Sequence, residues 1–266
     1  MVEEVRERVI RAAAYRPYEG GKRVFVVEAA EAMRDESQNA LLKTLEEPPG
    51  FVHLILLTSE PAALLETIAS RCQPVDFAPL PVEAIEAALP AGDPDELAAA
   101  ARLSAGDLDL ARLLLSGQGR ALRDQAVAMD WSAILKSAEQ AGEEAESATR
   151  EALEDDKDAG VKRSARDISD AAKRAGRRRR TELLDLGLRL AAAWFRDLAA
   201  AASGAADVAY NRDRLAQLQA QAEGLDPNGA RRAAELVQDT RRRLDLNVSE
   251  ELALEALSFR LAAVLG

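Results

Sequence analysis

Two apolar runs constrain this chain most: "VFVV" at Val24–Val27 and "VHLILLT" at Val52–Thr58. Between them lies a segment of helical spacing, Glu36–Leu45, closed by Pro48 and Pro49. Proline ends a helix because it lacks an N–H and its ring clashes with the preceding turn. Continuous apolar strands are those buried on both faces of a parallel sheet, and strands joined through helices pair in parallel with right-handed crossovers. The pattern therefore predicts strands at Arg23–Glu28 and Val52–Thr58, with a third at Val75–Phe77. Glu3–Ala14 and Pro61–Ala69 are predicted helices. Such a sheet leaves an apolar edge unpaired, which is an aggregation hazard. The sequence also contains no GxxxxGK[ST] phosphate loop. Together these features lead to the expectation of a missing N-terminal part, through truncation or a start assigned too late. A naturally short protein is the third reading.

At "APLP" (Ala78–Pro81) the pattern changes. No strand is visible beyond it. Short helices broken by "PAGDP" and "SAGD" run to about Gly119, followed by long helices at Arg120–Ala141, Thr181–Ala202, Asp207–Ala222, Gly229–Leu244 and Ser249–Leu265. Ser249 suits an N-cap, where its hydroxyl oxygen can accept a free amide of the first turn. Three domains are expected: 1–78, 79–119 and 120–266. The chain is 48% hydrophobic, much of that alanine, but only 4% aromatic. Packed helices are favoured by such a composition. No apolar run is long enough for a membrane span, and no signal peptide precedes the first helix, so a cytoplasmic location with no membrane partner is expected. The single Cys72 excludes an internal disulfide.

The formal charge of −11 argues against a chain that coats nucleic acid alone. That charge is unevenly spread. Glu139–Asp158 holds nine acidic and two basic residues, and Lys162–Arg180 holds nine basic and two acidic. A solvated helical hairpin with mutually attracting arms is one reading. Contact of "KRAGRRRR" (Lys173–Arg180) with nucleic acid or a partner is the other.

The most specific stretch is "NALLKTLEEPPGFVHLILLTSEPAALLETIASRCQPVDFAPLP", Asn39–Pro81. It resembles the bacterial clamp-loader subunits of DNA polymerase III, a branch of the AAA+ ATPases. In that family the "NALLKTLEEPP" helix follows the Walker B strand, "LILLTS" is similar to the sensor 1 strand with Thr58 at its polar tip, and "SRCQ" carries the Ser-Arg-Cys motif. "RTELLDLGLRLAAAWFRDLA" and "RRLDLNVSEELALEALSFRLA" look like the collar helices of its delta-prime branch. The resemblance implies an α/β plus all-α fold: a partial AAA+ parallel sheet with flanking helices over 1–78, a small helical lid over 79–119, and a C-terminal helical collar over 120–266.

Three departures bear on activity. The Walker B strand ends in Glu28, which could still reach a metal, but the following Ala29 and Ala30 cannot polarise a water. "LSAGDLDLARLL" stands where the family often carries "GSxR", and the position of the nucleotide-sensing arginine falls on Asp109 or Leu110. An acid there would repel a triphosphate. The phosphate loop is absent. A chain with these losses is not expected to hydrolyse ATP, although it would be a subunit of the DNA-directed DNA polymerase holoenzyme. The alternative is a gamma/tau-type ATPase lacking its phosphate loop, and a third possibility is a purely structural subunit.

Arg71 matches the family motif. The resemblance implies an arginine finger supplied in trans to a neighbour's ATP site, with Ser70 and Cys72 positioning it. No cofactor is then expected on this chain; ATP and Mg²⁺ would sit in neighbouring subunits, and zinc stays open for a full-length form. The implied partners are the gamma/tau and delta subunits, with the sliding clamp and primed DNA reached through the complex.

Blander readings accompany other residues. Cys72 reads as a small buried hydrophobe and His53 as a packing or rim residue. Glu46 and Glu47 read as solvated or locally paired, Trp131 and Trp194 as core anchors, and Lys43 and Thr44 as helix surface.

Overall fold

The computed structural model describes residues 5–18, 20–158, 164–244, 246 and 248–265. The chain divides into two compact units, Met1–Ala78 and Pro79–Gly266.

The first unit opens with a π-helical segment, Arg6–Arg11, inside the predicted first helix. Strand β1 (Arg23–Val27) and strand β2 (Val52–Leu56) pair in parallel, Val24 opposite His53 and Val27 opposite Leu56. Helix α1 (Asp35–Glu46) is the crossover between them. Pro61–Ala63 forms a 3₁₀ turn, and only Glu66–Ala69 (α2) is α-helical, so the predicted helix Pro61–Ala69 is split. The split has a cause in Gln38, described below.

Two expectations are corrected here. Val75–Phe77 forms no strand among the described residues; Val75 is 69% and Phe77 90% exposed. A strand exists only where a neighbour satisfies its N–H and C=O groups, and β1–β2 is a two-stranded sheet without that neighbour. Among the described residues the strands are also covered on one face only. Phe25, Val27, Leu54 and Leu56 pack with Val9, Ala30, Met33, Leu41 and Ile68, whereas Val24, Val26, Ile55 and Leu57 are exposed. An apolar pattern on both sides of a strand is what a covered parallel strand shows, and nothing in the pattern itself reveals which side lacks its cover.

The second unit is helical. Its elements are α3 (Val82–Ala88), α4 (Pro94–Leu103), α5 (Leu108–Leu115), α6 (Gly117–Val127), α7 (Trp131–Asp158), α8 (Ala165–Ala202), α9 (Leu215–Ala222), α10 (Pro227–Leu244) and α11 (Glu250–Leu265). Aspartates and serines set the starts: Asp93 accepts the amides of Asp95 and Glu96, Asp107 that of Leu110, and Ser116 that of Gly119. Each satisfies amides that the first turn leaves without intrahelical partners. One continuous core runs from Ile85 in α3 to Leu261 in α11, with Trp131 and Trp194 inside it. Packing therefore does not separate 79–119 from 120–266.

The predicted helix Arg120–Ala141 is two helices. Met129 takes a left-handed conformation (φ 57°), and Asp130 caps the next helix by accepting the Ala133 amide. Asp207–Ala222 is likewise not one helix. The buried Asp197 carboxylate accepts from the amides of Tyr210 and Asn211 and from Asn211 Nδ2, holding that stretch out of helical register. The charged segments form the antiparallel pair α7–α8. Gly142 and Gly176 face each other so closely that a Cβ on Gly142 would stand 2.9 Å from the Gly176 carbonyl oxygen. Arg180 bridges the arms to Glu139, while Arg150–Glu146 and Arg178–Glu182 pair along their own helices. Lys162 lies outside the described residues. Ser164 and Asp167 form a reciprocal capping box at the start of α8. Ser249 immediately precedes α11, and its carbonyl accepts the Ala253 amide. Among the described residues no helix is long and apolar enough to cross a membrane.

Candidate functional site

The carboxyl ends of β1 and β2 sit side by side, because the ladder continues past them: the Leu57 amide donates to the Val27 carbonyl and the Ala30 amide to the Leu57 carbonyl, each 2.9 Å. This brings the turn after β1 against the tip after β2. Glu28 and Ala29 are exposed in that turn. Ala29 is left-handed (φ 49°, ψ 53°). That conformation strains any residue with a Cβ. Its methyl offers no hydrogen-bond acceptor. Thr58 Oγ1 accepts the Glu60 amide at 3.1 Å.

The polar residue gathered here that sequence reasoning missed is Glu31. Its Oε1 accepts from the Ser59 hydroxyl at 3.2 Å. Its own backbone amide, then the Thr58 and Ser59 hydroxyls, hold its carboxyl below the usual carboxylate range. A hydrogen bond favours whichever protonation state it is made to, here the ionised one. The only signal in the sequence was an acid three residues beyond Glu28, too common a spacing to single out. Among the described residues no group of three or more His, Cys, Asp or Glu is placed to hold a metal ion.

Arg71 is built differently. Helix α2 is tied to the start of α1 by Gln38, which is buried: its Nε2 donates to the Met33 carbonyl (3.0 Å) and its Oε1 accepts the Leu65 amide (2.8 Å). Leu65 is the N-cap of α2, so this one side chain fixes where the short helix begins. Ile68 anchors it in the core. The chain then turns, the Arg71 amide donating to the Ile68 carbonyl. The Arg71 side chain folds back on this frame. Its Nε donates to Glu46 Oε1 at 2.9 Å, Nη2 lies 2.5 Å from the same oxygen, and Nη1 donates to the Thr67 carbonyl at 2.9 Å. Ser70 Oγ is 3.4 Å from Nη1, so the motif serine does touch the guanidinium. The side chain stays 35% exposed.

Cys72 is half-buried against the Ile68 core, and burial pushes its thiol pKa up, away from a thiolate. Its place is in packing, while Ser70 and Glu46 make the polar contacts to Arg71. Glu46 does pair, though with a residue 25 positions away. Thr44 corrects the helix-surface reading: it is 9% exposed, on the buried side of α1, while Lys43 beside it is exposed. His53 is exposed on the bare face of the sheet. In the second unit Asp109 is exposed and paired with Arg112 at 3.1 Å, a local helix-start pair next to the Asp107 cap.

Residues 1–81 match the family model described as DNA polymerase III, delta subunit. A "DNA polymerase III subunit delta'" of Pseudomonas aeruginosa is 41% identical over 104 residues, 38% of this chain and 31% of that protein. The protein of the same name in Escherichia coli is 39% identical over 145 residues, 50% of this chain and 43% of that protein. A "DNA polymerase III subunit tau/gamma" of Haemophilus influenzae is 42% identical over 71 residues, 27% of this chain and 10% of that protein. The chain thus spans less than half the length of these curated relatives. Over that shared part, the chain is similar to the delta-prime subunit of DNA polymerase III.

Proposed function

We propose that this chain is a non-hydrolysing clamp-loader subunit that supplies Arg71 in trans to the ATP site of a neighbouring subunit, within a complex that loads the sliding clamp onto primed DNA. The observation that carries the reading is the Arg71 site. An exposed guanidinium stands at the end of a short helix that Gln38 and Ile68 hold in place. Guanidinium is always charged and presents a planar fork suited to phosphate oxygens. An arginine supplied across an interface stabilises charge on the transferring γ-phosphate and is worth ~10³ to 10⁵ in rate. The chain's own nucleotide residues fit hydrolysis poorly, since Ala29 gives no acceptor and Asp109 is an acid where a triphosphate needs a cation. ATP and Mg²⁺ then belong to the neighbours, and this chain binds neither. On this reading the helical unit divides by role: 79–119 as lid, and 120–266 as a collar contacting gamma/tau and delta subunits in the cytoplasm.

Reconstitution with gamma/tau and delta subunits, clamp and primed DNA tests it by steady-state ATP hydrolysis. Wild type should stimulate hydrolysis, and Arg71→Ala should lower the rate by about 10³-fold or more while the complex still assembles on a sizing column. Equal rates would overturn the trans role. Similarity to the Haemophilus tau/gamma subunit favours a second reading, a gamma/tau-type ATPase. Nucleotide binding and hydrolysis by the isolated chain would support that reading, and Ala29 argues against it.

A further inference from the structure

We infer that Glu46 is a positioning residue for Arg71. It holds the guanidinium by its Nε edge so that the outer edge faces a phosphate. The inference rests on the proposed role of Arg71 and adds a residue to it. A guanidinium has five N–H donors in one plane. Glu46 Oε1 engages two of them, on Nε and Nη2, and the Thr67 carbonyl engages one on Nη1. That leaves one donor on Nη2, and one on Nη1 that only the Ser70 hydroxyl approaches, at 3.4 Å. Nη1 and Nη2 together form the outer edge of the fork, the edge that suits two phosphate oxygens.

The position of Glu46 in the fold supports this role. It is the last residue of α1. A carboxylate there meets the negative end of the helix dipole and is unfavourable. The Thr67 carbonyl lies in the single turn of α2. The last carbonyls of a helix tend to lack intrahelical partners, and a cation is favoured beside them. Both mismatches are relieved by the same guanidinium. The two side chains are 35% and 48% exposed. A pair so open to solvent matters little for folding. Its effect is to fix direction. A long flexible arginine would otherwise spread over many rotamers, and a misplacement of about 1 Å in a reacting group can cost ~10²-fold in rate.

The test uses the same reconstituted complex. Glu46→Ala should lower kcat for ATP hydrolysis by about 10- to 100-fold, with KM for ATP and assembly on the sizing column unchanged. Glu46→Gln keeps an acceptor oxygen and should restore most of the rate. In an Arg71→Ala background Glu46→Ala should have no further effect, since the two act as one unit. If Glu46→Ala fails to assemble, Glu46→Asp carries the test; it keeps the charge but withdraws the oxygen by one methylene, and its rate should fall. A slow Arg71→Ala complex with normal Glu46→Ala overturns the positioning role alone. A Glu46→Ala complex faster than wild type also overturns it, because Glu46 would then be a restraining counter-charge. Full activity of Arg71→Ala overturns the trans reading and this inference with it.

Discussion

The two units of this chain differ in how they relate sequence to stability. The first carries the residues that resemble a family, yet its buried apolar cluster is only Val9, Ala30, Met33, Leu41 and Ile68, and among the described residues one face of its sheet is bare. The second carries a common alanine- and leucine-rich pattern, yet its core spans α3 to α11 and encloses Trp194 and Phe195 at 1% exposure. The exposed polar residues that mark the candidate site are therefore not the ones that hold the fold. They cluster at the strand ends and around α2, where the frame is thin and side chains reach solvent.

The comparison breaks if the two units unfold as one. The largest effect is expected at Trp194, whose ring is buried and whose Nε1 donates to Gln221. Trp194→Ala should cost ~3–5 kcal/mol of the helical unit, measured as a shift of its denaturant midpoint by far-UV circular dichroism. Ile68→Ala should cost ~2–5 kcal/mol. With so few buried partners, that loss should unfold the first unit while most helical signal persists. A single shared transition in both variants would show that the units are coupled.

Much of this contrast was legible in the sequence. The parallel β1–α1–β2 unit followed from two apolar runs and a proline-ended helix, and the helical second unit followed from spacing and Gly/Pro breaks. What stayed hidden was set by contacts between distant residues. The bare sheet face was invisible because Val24 and Val26 have the composition of covered residues. Val75–Phe77 has strand-like residues, but among the described residues no strand pairs with it. Asp197 bends Tyr210–Asn211 from 13 and 14 positions away, and Glu46 meets Arg71 across 25. In the candidate site the sequence singled out Arg71, Ser70 and Cys72, but neither Gln38 nor Glu31, because an amide or an acid on a helical or turn segment has no motif of its own.

Gln38 sharpens the comparison inside the first unit. Gln38→Ala leaves the Leu65 amide and the Met33 carbonyl short of their partner, and an unsatisfied buried group costs ~1–3 kcal/mol. The helical unit's midpoint should not move. Proteolysis near Leu65 should quicken, since the start of α2 depends on that one side chain. Resistance equal to wild type would show that Ile68 packing alone suffices.

The smallest effect separates the units by pH. Each has a carboxylate held below its usual value: Glu31 from 4.5, by its own amide and the Thr58 and Ser59 hydroxyls, and Asp239 from 3.8, where burial opposes the shift but Arg260 and Arg243 outweigh it. A carboxyl depressed in the folded state stabilises fully above its unfolded pKa. As pH falls below that value the unfolded chain takes up a proton that the folded chain does not, and the contribution is lost as pH passes through the folded value. For Glu31 the loss begins near pH 4.5, before that of Asp239 begins near 3.8. Glu31→Gln should therefore flatten the acid dependence of the first unit's transition just below pH 4.5 and leave the second unit's unchanged. A matching change in the second unit would mean that protonation in one unit is felt in the other. The two halves would then share a single stability, despite their separate cores.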